Sequence, residues 1–268
     1  MAIFDCFQYF NEEHIVDLRF NILNKDVDFF VIVESTVNHQ GQKRKLHFDI
    51  NKYNKFKNKI IYIEVDDTPE NIKKPHAGGE SLVEQHQRNS ITKGLKKSQD
   101  NDLIILSDVD EIPNLEKLKF FDKKKYGVFS QKMFMYKLNL LNLTEDGWHG
   151  SKICLKKNFK SPQWLRNLKF KKYPFWRIDK KQNLQIIEDG GWHFAYLQDP
   201  KNISQKIKSF AHGEFNKEEI VNEENIRLRI NRGEDVLDRG YKIKKIEMDS
   251  SFPRYIIENK DKLKKWIA

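Results

Sequence analysis

The sequence predicts an α/β protein: a single compact domain whose first half is a Rossmann-like parallel sheet covered by helices and whose second half is an irregular mixture of antiparallel strands and helices. Three observations carry this. Up to about Lys125, short apolar runs alternate with amphipathic segments, the pattern of strands joined by crossover helices. Beyond Lys125 that regularity is lost, and the chain becomes aromatic and basic. No internal repeat or flexible linker divides the 268 residues, a length that suits one large domain. The expected body is therefore 1–268, with halves at 1–125 and 126–268.

Taken in order, Ala2 to Phe7 reads as a first strand. Asn11 then offers an N-cap, with Glu12 and Glu13 in the first turn where the helix dipole favours them. Ile15, Leu18, Ile22 and Leu23 follow on one helical face. Phe29 to Val33 is β-branched and aromatic throughout, as a strand buried on both sides would be, and Ile60 to Val65 is a third strand. Glu80 to Lys97 predicts a long helix with Val83, Gln87, Ile91 and Leu95 at four-residue steps, leading into a fourth strand, Leu103 to Leu106.

In the second half, Tyr126 to Asn139 and Gly150 to Lys156 predict antiparallel strands around a turn-rich segment holding Gly147, Trp148 and His149. Ser161 to Ile178 concentrates Trp164, Phe170, Tyr173, Phe175 and Trp176 among basic residues. Asp199 and Pro200 predict a helix start at N-cap and N1, with Ile203, Ile207 and Phe210 on one face and an end near Gly213. A second helix runs from Asn222 through Ile226 and Ile230 to Gly233.

Composition narrows the class. Apolar residues make up 38% and aromatic residues 12%, too many for a disordered polymer. A charged fraction of 33% and a mean hydropathy of −0.75 argue against an integral membrane protein. No run approaches the roughly 18 apolar residues of a spanning helix, and Met1 to Tyr9 lacks the basic head and apolar stretch of a signal peptide. Two cysteines, Cys6 and Cys154, make neither a disulfide framework nor a four-thiolate zinc site, so a reducing, cytoplasmic setting is expected. There are 49 Lys and Arg against 39 Asp and Glu, a net charge of +10, which suits a solvated surface, phosphate-bearing ligands or peripheral contact with an anionic membrane.

The sharpest local signal is Leu103-Ile-Ile-Leu-Ser-Asp108-Val-Asp110-Glu111-Ile-Pro113, an apolar strand running into an acidic cluster. Ligands of open α/β sheets bind beyond the carboxyl ends of the strands. Side chains at i and i+2 of an extended chain point the same way, so Asp108 and Asp110 can converge on one hard cation, which would neutralise a diphosphate leaving group. Arg88, in Gln87-Arg88-Asn89, offers a planar fork for phosphate or for an acidic group of the site. Glu34 ends the second strand at the same sheet edge and is a candidate acceptor for ribose or base hydrogens. Lys43, Arg44 and Lys45 either screen phosphate or lie in a surface loop.

A carboxylate within hydrogen-bonding reach of a substrate hydroxyl can serve as a general base. Glu188 and Asp189, before the double glycine 190–191, are the favoured pair, with Glu214 in reserve; a polar turn is the plain alternative. His193 lies beside two glycines that allow close backbone approach to a ligand. His212 sits at a helix C-terminus, where the dipole favours the charged form. Among the tryptophans, Trp148 and Trp192 are candidate flat faces for a sugar ring.

These pieces, in this order, resemble the GT-A class of nucleotide-sugar glycosyltransferases. More narrowly the chain resembles glycosyltransferase family 17, whose eukaryotic members add the bisecting N-acetylglucosamine to the core mannose of N-glycans. The resemblance rests on Phe10-Asn11-Glu12, Phe30-Val-Ile-Val-Glu34-Ser35, Gln87-Arg88-Asn89, Ser107-Asp-Val-Asp-Glu-Ile-Pro113, Gly190-Gly-Trp-His-Phe194 and Ser209-Phe-Ala-His212. It implies a GT-A-type nucleotide-binding half at 1–125, an acceptor-side half at 126–268, and inverting transfer of N-acetylglucosamine from a UDP-sugar to a glycan or other hydroxyl acceptor. It also implies Mn²⁺ or Mg²⁺ on Asp108 and Asp110, with His193 and then His212 as further ligands. Phe10, Asn11, Glu34, Arg88, Asn89, Asp108 and Lys45 are the expected nucleotide-sugar contacts. The family's Golgi enzymes carry a membrane anchor that this sequence lacks, which points to a cytoplasmic bacterial-type or viral relative with another acceptor. Two rivals remain at this stage. One is a metal-dependent nuclease or phosphodiesterase, although nucleic acid is not expected as a partner. The other is a non-catalytic carbohydrate-binding protein.

Overall fold

The structure, a computed structural model, describes residues 1–73, 81–123, 125–170, 184–209 and 217–268. The described chain runs β1 (Ile3–Gln8), α1 (Glu13–Leu23), β2 (Phe29–Ser35), β3 (Ile60–Val65), α2 (Leu82–Asn89), β4 (Leu103–Ser107), β5 (Glu111–Pro113), β6 (Tyr126–Met135), β7 (Leu140–Asn142) and β8 (Trp148–Leu155). It continues through α3 (Pro162–Arg166), β9 (Leu184–Ile187), β10 (Gly191–Ala195), α4 (Pro200–Ser209), α5 (Glu218–Val221), α6 (Glu223–Arg232), β11 (Ile243–Lys245) and α7 (Arg254–Glu258).

Strands β3, β2, β1 and β4 lie side by side and parallel, with Cys6 opposite both Val31 and Leu106. β8 then pairs antiparallel with β4, and β6 with β8, so both halves of the chain share one mixed sheet. One edge of β6 receives β9 along its first part and β10 along its second, both parallel. β10 also pairs antiparallel with β5.

Alternation along the strands divides the core. Phe7, Ile32 and Ile105 face α1, whose Ile15, Leu18, Phe20 and Leu23 are buried against them together with Phe252 and Ile256 from the C-terminal region. Phe4, Cys6, Val31, Ile104 and Leu106 face the opposite layer, with Ile91 and Leu95 after α2 and Leu165 of α3. The buried stretch Phe30 to Val33 thus feeds both layers, as expected for a strand covered on each side. A third cluster joins Met133, Met135 and Tyr196 to α4, α5 and α6.

The first-half strands fall within a residue or two of the sequence expectation, and α6 starts and stops as expected: Asn222 caps it, and Gly233 ends it at φ 67°. Other expectations need correction. α1 is entered through Glu12 rather than Asn11, with no side-chain cap. The long helix is split: α2 is capped by Ser81, and Ser90–Leu95 winds more tightly as a 3₁₀ segment that seats Gly94 on Val31. Trp148 and His149 belong to β8 instead of a turn. Gly190 and Gly191 do allow close approach, but to backbone of this chain: a Cβ on Gly191, at φ 134°, would lie 2.2 Å from the Ile112 carbonyl across the β5–β10 pairing. Glu80, Tyr173, Phe175, Trp176, Phe210 and Gly213 lie outside the described residues. Among the described residues no helix is long and apolar enough to cross a membrane.

Candidate active site

The acidic turn is assembled from beneath. Asp5 is wholly buried in β1, where an unpaired carboxylate would cost several kcal/mol. Arg19 of α1, equally buried, meets it at 2.5 and 2.6 Å, and its Nη1 donates to the carbonyls of Val109 and Glu111 at 3.2 and 2.7 Å and to that of Asp108 at 3.3 Å. One guanidinium therefore fixes the backbone that carries Asp108, Asp110 and Glu111. From above, Glu111 closes the turn: its Oε2 accepts the Asp108 amide at 2.9 Å, and its Oε1 accepts the Trp148 indole at 2.8 Å.

On this base Asp108 and Asp110 face one cavity of about 430 Å³. It lies at the carboxyl edge of the parallel strands, where strand order reverses between β1 and β4. Asp108 meets Arg166 of α3 at 2.6 Å and Arg88 of α2 at 3.8 Å. Burial would raise its carboxyl, but those two guanidiniums outweigh the effect and hold it below its ordinary value. Asp110 lies 3.3 Å from Lys206 of α4 and 3.6 Å from Nε2 of His193. Burial is again overcome, here by Lys206 and the neighbouring His193, so this carboxyl also stays low. Lys206 reaches Glu12 at 3.3 Å as well, and although burial opposes its charge, Asp110 and Glu12 keep it protonated.

His193 is brought to Asp110 by strand pairing. In the β5–β10 ladder His193 lies opposite Glu111, and the Phe194 amide donates to the Asp110 carbonyl at 2.9 Å. Its ring leans on Trp148 with centroids 4.8 Å apart, and its buried Nδ1 has no hydrogen-bond partner among the described residues.

The remaining wall draws on both halves of the chain. Gln8, Tyr9, Phe10, His39 and Arg44 come from the carboxyl ends of β1 and β2. Arg44 lies over the Phe10 ring at 4.3 Å and also donates to the Phe10 carbonyl. Burial holds the His39 imidazole below its ordinary value, so it is neutral at pH 7. Met133, Trp148, Tyr196, Arg239 and Tyr241 come from the second half.

Several expected residues stand elsewhere. Glu34 is fully buried, and its two oxygens accept from Arg44 at 2.7 Å, the His47 and Phe48 amides at 2.8 and 3.0 Å and the Tyr62 hydroxyl at 3.0 Å. It anchors the Arg44 arm and does not line the cavity. Arg88 lies behind the wall, held by Glu84 and by Gln163 at 2.6 Å. Asn89 accepts from the Gln163 amide, the Asn11 amide donates to Glu12, and Lys45 is exposed; none of the three lines the cavity. Trp192 alternates with His193 along β10 and so faces the opposite side, donating to the Ser251 carbonyl at 3.1 Å. Glu188 and Asp189 are exposed, and Asp189 stands with Trp192 at a separate cavity, 3.5 Å from Lys117. His212 and Glu214 lie outside the described residues. Sequence reasoning overlooked Arg19, Arg166, Lys206 and the weight of Glu111. The available signal was Asp5, a carboxylate inside an apolar strand that requires a buried cation.

Among the described residues, no three His, Cys, Asp or Glu side chains are gathered closely enough to hold an ion as they stand. Charge and donor type nevertheless suit a divalent cation. In direct ion pairs five carboxylates (Glu12, Glu84, Asp108, Asp110 and Glu111) meet three cations (Arg88, Arg166 and Lys206), and buried Lys152 beside Glu111 and Asp108 leaves a formal excess of one negative charge. The Arg44–Glu34 and Arg239–Asp235 pairs balance internally. Two carboxylates and an imidazole with an unsatisfied nitrogen are ordinary donors for such an ion. In comparisons with known proteins, the family model for glycosyltransferase family 17 matches residues 1–265. No curated protein matches the chain.

Proposed function

The chain belongs to glycosyltransferase family 17, and on that premise we propose that it is a GT-A-type, metal-dependent, inverting enzyme that moves N-acetylglucosamine from UDP-N-acetylglucosamine to a hydroxyl acceptor. The observation that carries this reading is the convergence of Asp108, Asp110 and His193 on one cavity at the reversal of strand order. The parallel order β3-β2-β1-β4, continued by antiparallel β8, supports the GT-A assignment.

Asp108, Asp110 and His193 would hold Mn²⁺ or Mg²⁺. Bound there, the ion would offset the charge of the departing diphosphate. Phe10 and Arg44 offer the nucleotide a ring and guanidinium stack whose position is fixed through Glu34. Lys206 and Arg166 keep Asp110 and Asp108 ionised at pH 7, as ligation requires. Of the three carboxylates considered as base, Glu188 and Asp189 stand away from the cavity, and Glu214, which follows α4 in sequence, is the one we retain. Two buried cysteines, Cys6 and Cys154, suit a reducing, cytoplasmic setting. Exposed Phe120, with Lys119 over its ring, supports peripheral contact with an anionic membrane.

The test is a thermal-shift series with UDP, Mn²⁺ and both together. Saturation a hundredfold above Kd adds about 2.7 kcal/mol, or about 5–11 °C in Tm for a chain of this size. Both ligands together should give that shift. Asp110→Ala should abolish the shift and transfer while keeping a folded melting profile. Retained transfer by the variant refutes the metal assignment.

A further inference from the structure

Lys152 stands where the sheet calls for an apolar side chain. It lies in β8 between Val128 of β6 and Leu106 of β4, both buried, so its backbone is fixed from either side. Two residues on, Cys154 belongs to the same layer and is buried with Leu165 of α3 and Phe170. Lys152 is itself only 7% exposed. Its Nζ donates to the carbonyl of Arg166 and, at 2.8 Å, to that of Leu168, with the Phe170 ring 5.7 Å away. Burial, and then Arg166, push its ammonium down to about 8, so the charge is held here against a penalty that an apolar residue would not carry.

The carbonyls it takes explain the position. α3 has five residues, too few to hold itself. Its start is fastened, because Ser161 accepts the Trp164 amide at 3.2 Å and Asn89 accepts the Gln163 amide at 3.1 Å. Its end would otherwise leave carbonyls open, as helix ends do. Arg166, the last residue of α3, is thus held at its carbonyl from β8 while its guanidinium spans the acidic turn. Nη2 lies 2.6 Å from Oδ2 of Asp108, and the two arms of the fork meet Glu111 at 3.0 and 3.1 Å.

The Asp108 side chain is 40% exposed, inside the cavity, so little packing fixes its rotamer and the Arg166 contact decides it. Among the described residues Oδ1 of Asp108 accepts no hydrogen bond, and Arg88 is 3.8 Å from it. Resting on the reading of Asp108 as part of the donor site, we propose that Lys152 is a positioning residue for donor binding: by fixing the end of α3 it makes Arg166 hold one oxygen of Asp108 and leave the other for the ligand. Lys152 touches no ligand in this scheme. Without it the end of α3 frays, and Arg166 keeps its grip on buried Glu111 while Asp108 is released.

The test uses the full chain. Hydrogen exchange without ligand reads the amides of Leu165, Asn167 and Leu168, which bond back to the carbonyls of Ser161, Gln163 and Leu165. Calorimetry reads the Kd of UDP in saturating Mn²⁺. Lys152→Met should speed exchange at these three amides at least about tenfold while leaving β1 and β2 unchanged. It should also weaken UDP binding about tenfold, the low end for an outer partner of a metal ligand. Added to Arg166→Met it should weaken binding less than about twofold further, since the route through α3 is already cut. A direct effect of the lysine charge on the site would instead act in both backgrounds, and such additivity overturns the proposal. Unchanged UDP affinity or unchanged exchange overturns it too. Ser161→Ala loosens the other end of α3 and should weaken UDP binding about threefold; if Lys152→Met does not fold, this variant decides, and wild-type affinity in it counts against the proposal. Wild-type protein that binds no UDP with Mn²⁺ sinks the glycosyltransferase reading, and this proposal with it, whatever the exchange of α3 shows.

Discussion

Glu111 is the side chain whose removal should be felt most widely. It is fully buried, and its two oxygens accept four hydrogen bonds: the Trp148 indole at 2.8 Å, the Asp108 amide at 2.9 Å, and Arg166 through Nη1 at 3.0 Å and Nη2 at 3.1 Å. Glu111→Gln keeps the shape but turns one acceptor into a donor, so whichever way the amide lies, two of these donors meet another N–H. Hydrogen bonds to a charged group are worth about 1.5–3 kcal/mol each, and breaking a buried ion pair costs about 3–5 kcal/mol. The losses overlap, so about 3–5 kcal/mol is expected in total, a third or more of the stability of an ordinary domain. Urea titration at pH 7 and low temperature should show the midpoint falling with an unchanged slope. The loss should persist in high salt, because a buried pair is poorly screened. Transfer should fall as well, even where the variant is fully folded, because the Asp108 backbone loses its acceptor. A loss under about 1 kcal/mol with normal turnover would refute the role assigned to Glu111.

The Asp110→Ala test above has companions elsewhere in the chain. Arg19→Met strands the Asp5 carboxylate in β1 and should cost about 3–5 kcal/mol; adding Asp5→Asn should restore part of that loss, and strictly additive urea midpoints would count against a coupled pair. Lys152 is pushed down to about 8, first by burial and then by Arg166. Since its ordinary value is 10.5, the unfolded chain holds more protons between about pH 8 and 10.5, so this residue makes stability rise with pH across that window. The whole penalty, about 3 kcal/mol at about 1.4 per tenfold in proton affinity, is present below about pH 8. Lys152→Met should flatten that rise in urea titrations at pH 7.5, 8.5 and 9.5, and parallel profiles for the two proteins would disprove it.

Local pattern was enough to determine the parallel half. The run Phe29 to Val33 has no polar side to offer water, the acidic cluster follows directly on Leu103 to Leu106, and Asn222 and Gly233 bracket α6 by backbone chemistry that neighbours alone decide. The motif residues Phe10, Asp108, Asp110, Trp148 and His193 were all legible as types, and all five line the cavity. What remained hidden depended on partners distant in sequence. Glu34 and Asp110 are both carboxylates near strand ends, yet Glu34 is consumed by Arg44, two amides and Tyr62 away from the cavity, while Asp110, paired with Lys206, lines it. Trp192 and His193 are neighbours whose assignment to opposite faces was fixed by β10 pairing with β5 and β6. Arg166 and Lys206 looked like two more cations in a basic chain, and only the fold set each against a buried carboxylate. Periodicity and capping are short-range and so survive in the bare sequence; charge pairing across a hundred residues exists only once the sheet has closed.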